Sequence, residues 1–130
     1  MTSIKLITFD IDGTLLTDEM ENEGQYVKGI IPTKVLEQLQ LKGINVALVS
    51  PSPYGPEALK DDQHWFCRNG SNDYRWENIQ DAMKAFGVTK DETIYIDDLD
   101  SNINQILKWS VQSYTPEAFM FMIDNNSIKI

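Results

Sequence analysis

The segment Ile4–Leu15, IKLITFDIDGTL, constrains this chain more than any other, because an apolar run carries two aspartates, Asp10 and Asp12, into a Gly13-Thr14 turn. Ile4, Leu6, Ile7 and Phe9 around Thr8 predict a short buried strand. Both carboxylates then fall at its carboxyl end, the edge where open parallel sheets hold their ligands. Packing alone has no use for two acids at the end of a buried strand. If the backbone were still extended there, Asp10 and Asp12 would point the same way. Like charges that close are costly unless a cation or a proton compensates them, and a divalent metal is the simplest compensation. Gly13 lets the backbone turn tightly and approach a ligand, and the Thr14 hydroxyl is expected to hydrogen-bond and hold the turn.

The remainder alternates helix and strand patterns. A helix opens at Pro32 and runs to about Lys42, with Val35, Leu36 and Leu39 as its apolar stripe and Gly43 as its stop. The apolar strand Ile44–Val49 follows and ends in Ser50. Prolines and Gly55 exclude regular structure from Pro51 to Pro56, with a weak helix expected near Glu57–Asp61 and a short strand near Trp65–Cys67. The turn Asn69–Asp73, expected to supply helix caps, precedes a helix from about Tyr74 to Phe86. In it Ile79, Ala82, Met83 and Phe86 recur at helical spacing and Gly87 ends it. Next come a strand over 93–97, a helix from about Ser101 to Trp109 capped by Asp100 or Ser101, and a strand near Val111–Tyr114. A last helix runs to about Ile123, with Thr115 as cap and Pro116 at its first position. Such alternation predicts an α/β fold with a mainly parallel sheet covered on both faces, in a single domain spanning 1–130.

A strand ending in D-x-D-G-T-L resembles the first signature of the haloacid dehalogenase (HAD) superfamily of phosphoryl-transfer enzymes. Three further signatures of that family stand in order: Ser50 after the second strand, a cation at the start of a helix, and the acid pair Asp97-Asp98 after a later strand. The resemblance spans about residues 4–109. It implies a Rossmann-like three-layer sandwich and a magnesium-dependent phosphatase that hydrolyses a phosphate monoester. Asp10 would be the nucleophile that forms an aspartyl phosphate, and Asp12 the general acid and base. Members that cleave carbon–halogen bonds generally lack an acid at that second position, so Asp12 favours phosphate chemistry. Ser50 and Arg75 would bind the phosphoryl group, with Arg68 and Lys84 as alternative cations. Asp10, the backbone carbonyl of Asp12, and Asp98 would hold Mg2+, with Asp97 and Asn102 beside them. The chain departs from the commonest pattern in having Asp97 where many members have glycine, Asn102 where they have a second acid, and Arg75 where they have lysine. The gaps Thr17–Ile31 and Pro51–Asp73 are too short for the inserted cap domain of many members, which implies an uncapped, open site. A phosphorylated macromolecule, or a small ester in a homo-oligomer that covers the site, would suit it.

A formal net charge of -9 disfavours nucleic acid and anionic membranes as general partners without excluding local contact. No apolar stretch is long enough to span a bilayer and the amino terminus lacks signal-peptide order, so a cytoplasmic protein is expected. Cys67, the only cysteine, permits no internal disulfide and no thiolate metal cluster. The sole histidine, His64, lies outside the signatures and receives no role. A phosphoacceptor signalling domain shares size, alternation and aspartyl-phosphate chemistry, but keeps an acid pair after its first strand, its phosphoacceptor after a middle strand and a lysine after a late one, whereas here D-x-D-G-T comes first and the acid pair Asp97-Asp98 late. The other reading is a non-catalytic binding or regulatory protein on the same fold, favoured by Asn102 and by the absence of the usual lysine.

Overall fold

A computed structural model describes residues 3–16, 29–49, 66 and 74–127. At its centre lies β1 (Leu6–Phe9). A turn leads into β2 (Leu15–Leu16), which pairs in parallel with β3 (Ile31–Pro32) as a small second sheet. Helix α1 (Thr33–Leu41), β4 (Asn45–Leu48), α2 (Arg75–Phe86), β5 (Thr93–Ile96), α3 (Asp100–Leu107), β6 (Gln112–Tyr114) and α4 (Pro116–Asp124) complete the order. The main sheet runs β4-β1-β5-β6 with every neighbouring pair parallel. The α/β fold with a parallel sheet and helices on both sides is therefore present, and no inserted cap domain occurs among the described residues. The expected helix at 57–61 and turn at 69–73 lie outside them.

Period-two alternation sorts the strand residues between two cores. On one face Ile7, Phe9, Val46, Leu48, Ile94 and Ile96 pack against Val35, Leu36 and Leu39 of α1 and Phe119 of α4. On the other, Leu6, Ala47 and Tyr95 pack against Trp76, Ile79, Ala82 and Met83 of α2 and Ile106 of α3. Each fully buried aliphatic side chain contributes about 1.5–3 kcal/mol, so these stripes, rather than local propensity, fix the helices on the sheet. Trp76 is buried, and the half-exposed Trp109 stacks on it with ring centroids 5.1 Å apart.

Helix ends follow the sequence where their caps are local. Gly87 takes the left-handed conformation that ends α2, and the Thr115 hydroxyl accepts from the Ala118 N–H at 3.2 Å to start α4. The start of α3 differs from expectation. Neither Asp100 nor Ser101 caps it: Leu99 occupies the cap position without a side-chain bond, and Asp97 Oδ1 accepts the Leu99 N–H at 2.9 Å. Of the short strand expected at 65–67, only Phe66 is described; it donates its N–H to the Leu48 carbonyl at 2.8 Å and so lies beside β4.

Candidate active site

Asp10 sits one residue past β1 and keeps the ladder, its N–H donating to the Ile96 carbonyl at 2.9 Å. Alternation then places Asp10 on the face that Leu6 and Thr8 share, beneath α2. One residue past β5, Asp97 donates its N–H to the Tyr114 carbonyl at 3.2 Å and shares the face of Tyr95. Asp10, Thr8, Tyr95 and Asp97 thus meet on one side of two adjacent central strands. The first residue of α2, Arg75, is brought down onto them by the packing of Trp76 and Ile79.

Charge is concentrated here. Carboxylate oxygens of Asp10, Asp97 and Asp98 all lie within 4.8 Å of one another. Arg75 is 6% exposed; its Nη1 donates to Tyr95 Oη at 2.6 Å and to Asp97 Oδ2 at 3.1 Å, and lies 3.9 Å from Asp10 Oδ1. Tyr95 Oη donates in turn to Asp97 Oδ2. The same oxygen accepts from Asn102 Nδ2 at 3.1 Å. A carboxylate offers about four lone-pair sites, and Asp97, with no exposed surface, receives four donors: Arg75, Tyr95, Asn102 and Leu99. Three of these bonds fall on Oδ2 and one on Oδ1, and together they tie Asp97 into the protein. Asp10 and Asp98 keep exposed surface, which Asp97 does not, and so are the members of the cluster placed to meet a ligand.

Burial pushes the Asp10 carboxyl up to about 8, the Asp97 charge adds to this, and Arg75 offsets part of it. Asp98 is pushed up as well, by partial burial and by its hydrogen bond and charge contact with Asp97. Tyr95 is held well above its ordinary range, first by burial and then by the Asp97 charge, and is therefore neutral. Burial disfavours the charge on Arg75, but Tyr95, Asp97 and Asp10 outweigh it and hold the guanidinium protonated.

The backbone is not extended from Asp10 to Asp12. The chain turns immediately after Asp10, with Thr14 and Leu15 N–H groups donating to the Ile11 carbonyl at 3.0 and 2.9 Å. Asp12 is consequently exposed whereas Asp10 is buried. The turn is held by backbone bonds and not by the Thr14 hydroxyl, which is buried without a hydrogen-bond partner among the described residues. Gly13 has φ +79°, and a Cβ there would lie 2.7 Å from Asp98 Cγ. Only glycine leaves room for that carboxylate against the turn.

Of the other expected site residues, Asn102 joins the cluster through Asp97. Lys84 is exposed on α2, nine residues beyond Arg75, or about 13 Å along the axis at the helical rise. Arg75 is the one of the two beside the acids. Ser50 and Arg68 lie outside the described residues. Tyr95 was not anticipated; the available signal was its position two residues before Asp97 in a strand, which puts both side chains on one face.

Sequence comparison finds no matching family model and no match among curated proteins. Solved structures do match. One is the cobalt-bound form of the deoxy-D-mannose-octulosonate 8-phosphate phosphatase from Haemophilus influenzae, with TM-score 0.60 and 24% identity over 87% of this chain and 68% of that one. The chain has the HAD fold. A structure described as that of a proposed HAD superfamily (subfamily III A) hydrolase from Legionella pneumophila matches with TM-score 0.52 and 28% identity, over 73% of this chain and 55% of its own. A proposed 3-deoxy-D-manno-octulosonate 8-phosphate phosphatase from Vibrio cholerae matches with TM-score 0.53 and 22% identity, over 75% and 57%. The aligned part of this HAD-fold chain thus spans little more than half the length of the latter two.

The donor set fits a hard divalent cation. It consists of oxygen ligands only, the cluster holds more negative charge than Arg75 balances, and Gly13 clears the approach of Asp98. No helix among the described residues is long and apolar enough to cross a membrane.

Proposed function

We propose that this chain is a phosphatase that hydrolyses a phosphate monoester in two displacements at Asp10. The observation that carries the reading is the convergence of Asp10, Asp98 and Arg75 at the carboxyl edge of β1 and β5. Structural neighbours named as phosphatases support it. In the first displacement an Asp10 carboxylate oxygen attacks phosphorus and the bond to the leaving oxygen breaks. Asp12 gives that oxygen its proton. In the second, Asp12 takes a proton from water as the water oxygen attacks phosphorus, the bond to Asp10 breaks, and inorganic phosphate leaves. Exposed Asp12 and buried Asp10 suit the two roles, since one must exchange protons with substrate and water while the other must be held in line. Arg75 would neutralise phosphoryl charge, and Ser50 would donate to a phosphoryl oxygen.

Magnesium is the ion we assign, to Asp10, the backbone carbonyl of Asp12, and Asp98. Bound there it would keep Asp10 ionised despite burial and balance charge on the phosphoryl oxygens. The test is hydrolysis of an aryl phosphate by the purified protein with magnesium, with chelator, and as Asp10→Asn. Turnover that both interventions abolish is expected. Magnesium binding without turnover of any phosphate ester would overturn catalysis in favour of a binding role, and turnover that survives Asp10→Asn would overturn the nucleophile.

A further inference from the structure

We propose that Tyr95 is a positioning residue that fixes the Arg75 guanidinium for anion binding, an inference that rests on the phosphatase reading above. Tyr95 lies on the central strand β5 with no exposed surface. A phenol hydroxyl buried so deeply needs partners, and this one uses both its functions, accepting from Arg75 Nη1 and donating to Asp97 Oδ2. A directed hydrogen-bond chain therefore runs from Arg75 through Tyr95 to Asp97. Asp97 is itself tied to the start of α3 by the Leu99 N–H and to Asn102. The far end of the chain is thus anchored in regular structure.

The physical need for such a device comes from the charges. Among the described residues Arg75 faces two buried carboxylates, Asp10 and Asp97, and a long guanidinium side chain has many rotamers that could turn toward either. Collapse onto Asp10 would engage the nucleophile's oxygen in a direct ion pair. Instead Nη1 stands 3.9 Å from Asp10 Oδ1 and within hydrogen-bond distance of Tyr95 and Asp97. A tyrosine hydroxyl directs Nη1 without adding a second carboxylate to Asp97, which already pairs with it.

Tyr95→Phe removes the hydroxyl and keeps the ring in the core. Calorimetric titration with inorganic phosphate, in magnesium, should show binding weakened about three- to tenfold, the worth of one hydrogen bond, while magnesium affinity itself stays within twofold. With aryl phosphate, KM should rise more than kcat falls. In an Arg75→Lys background the same Tyr95→Phe change should alter phosphate affinity less than twofold, since its effect passes through the guanidinium. Unchanged phosphate affinity in Tyr95→Phe, or an equal loss in both backgrounds, would overturn the proposal. Side-chain NMR of the wild type tests it without any variant: hindered rotation of the Arg75 Nη groups is expected, and free rotation would contradict it. A wild type that binds magnesium but neither binds phosphate nor hydrolyses esters would instead remove the phosphatase reading, and this inference with it.

Discussion

Gly13 and Thr14 are adjacent in the turn after β1 and have opposite tolerances. At Gly13 a side chain would meet both a left-handed backbone and the Asp98 carboxylate. Gly13→Ala should therefore cost about 1 kcal/mol through the backbone alone. It should also displace Asp98, so that calorimetry shows magnesium affinity reduced at least tenfold. Thr14 is different, because its buried hydroxyl has no partner to lose among the described residues. Burying a hydroxyl without a hydrogen bond costs about 1–3 kcal/mol on mutational scales, so Thr14→Val, of nearly the same shape, should raise the urea midpoint. A clear fall in the midpoint would mean that the hydroxyl is hydrogen-bonded in solution.

At the scale of elements, Asp97 and Asp98 divide the work at the carboxyl end of β5. Asp97 joins that strand to α2 through Arg75 and to α3 through Leu99 and Asn102. Asp97→Ala should leave the Arg75 charge buried without the carboxylate nearest it among the described residues, and breaking a buried pair in this way typically costs about 3–5 kcal/mol. Asp98 is exposed, and Asp98→Ala should barely move the urea midpoint of the metal-free protein while abolishing magnesium binding. Equal losses of stability in the two variants would contradict this division. The same contrast explains what the sequence could disclose. Alternation and terminal glycines are local patterns, so β1, α2 with its Gly87 stop, and α4 with its Thr115 cap could be placed from the chain alone, as could Asp10 and Asp98 at one edge. The start of α3 could not, because Asp97 reaches into it from the strand before. Nor could the bond between Tyr95 and Arg75, which joins groups 20 residues apart. The exposure of Asp12 was not legible either, because it depends on where the turn closed by the Ile11 carbonyl begins.

For the molecule as a whole, the acid cluster makes stability depend on pH and metal together. The Asp10 carboxyl is pushed from an ordinary 3.8 up to about 8 in the folded chain. Between those limits the folded state binds a proton that the unfolded state has released. Protonated Asp10 therefore favours folding fully at acid pH, and this advantage is lost as pH rises through about 8. Each pH unit inside the window is worth up to about 1.4 kcal/mol for one proton. In chelator, the wild-type urea midpoint should fall from pH 5 to pH 8 more steeply than that of Asp10→Asn, so that the variant becomes the more stable protein at the upper end. Taking the difference between the two proteins at each pH removes the general repulsion of a chain with net charge -9, which acts on both. Saturating magnesium should flatten the wild-type slope and leave the variant's nearly unchanged, because a cation beside ionised Asp10 replaces the proton that burial demands. A wild-type slope indistinguishable from that of Asp10→Asn in chelator would show that Asp10 titrates in its ordinary range, and that the cluster is solvated more than its burial implies.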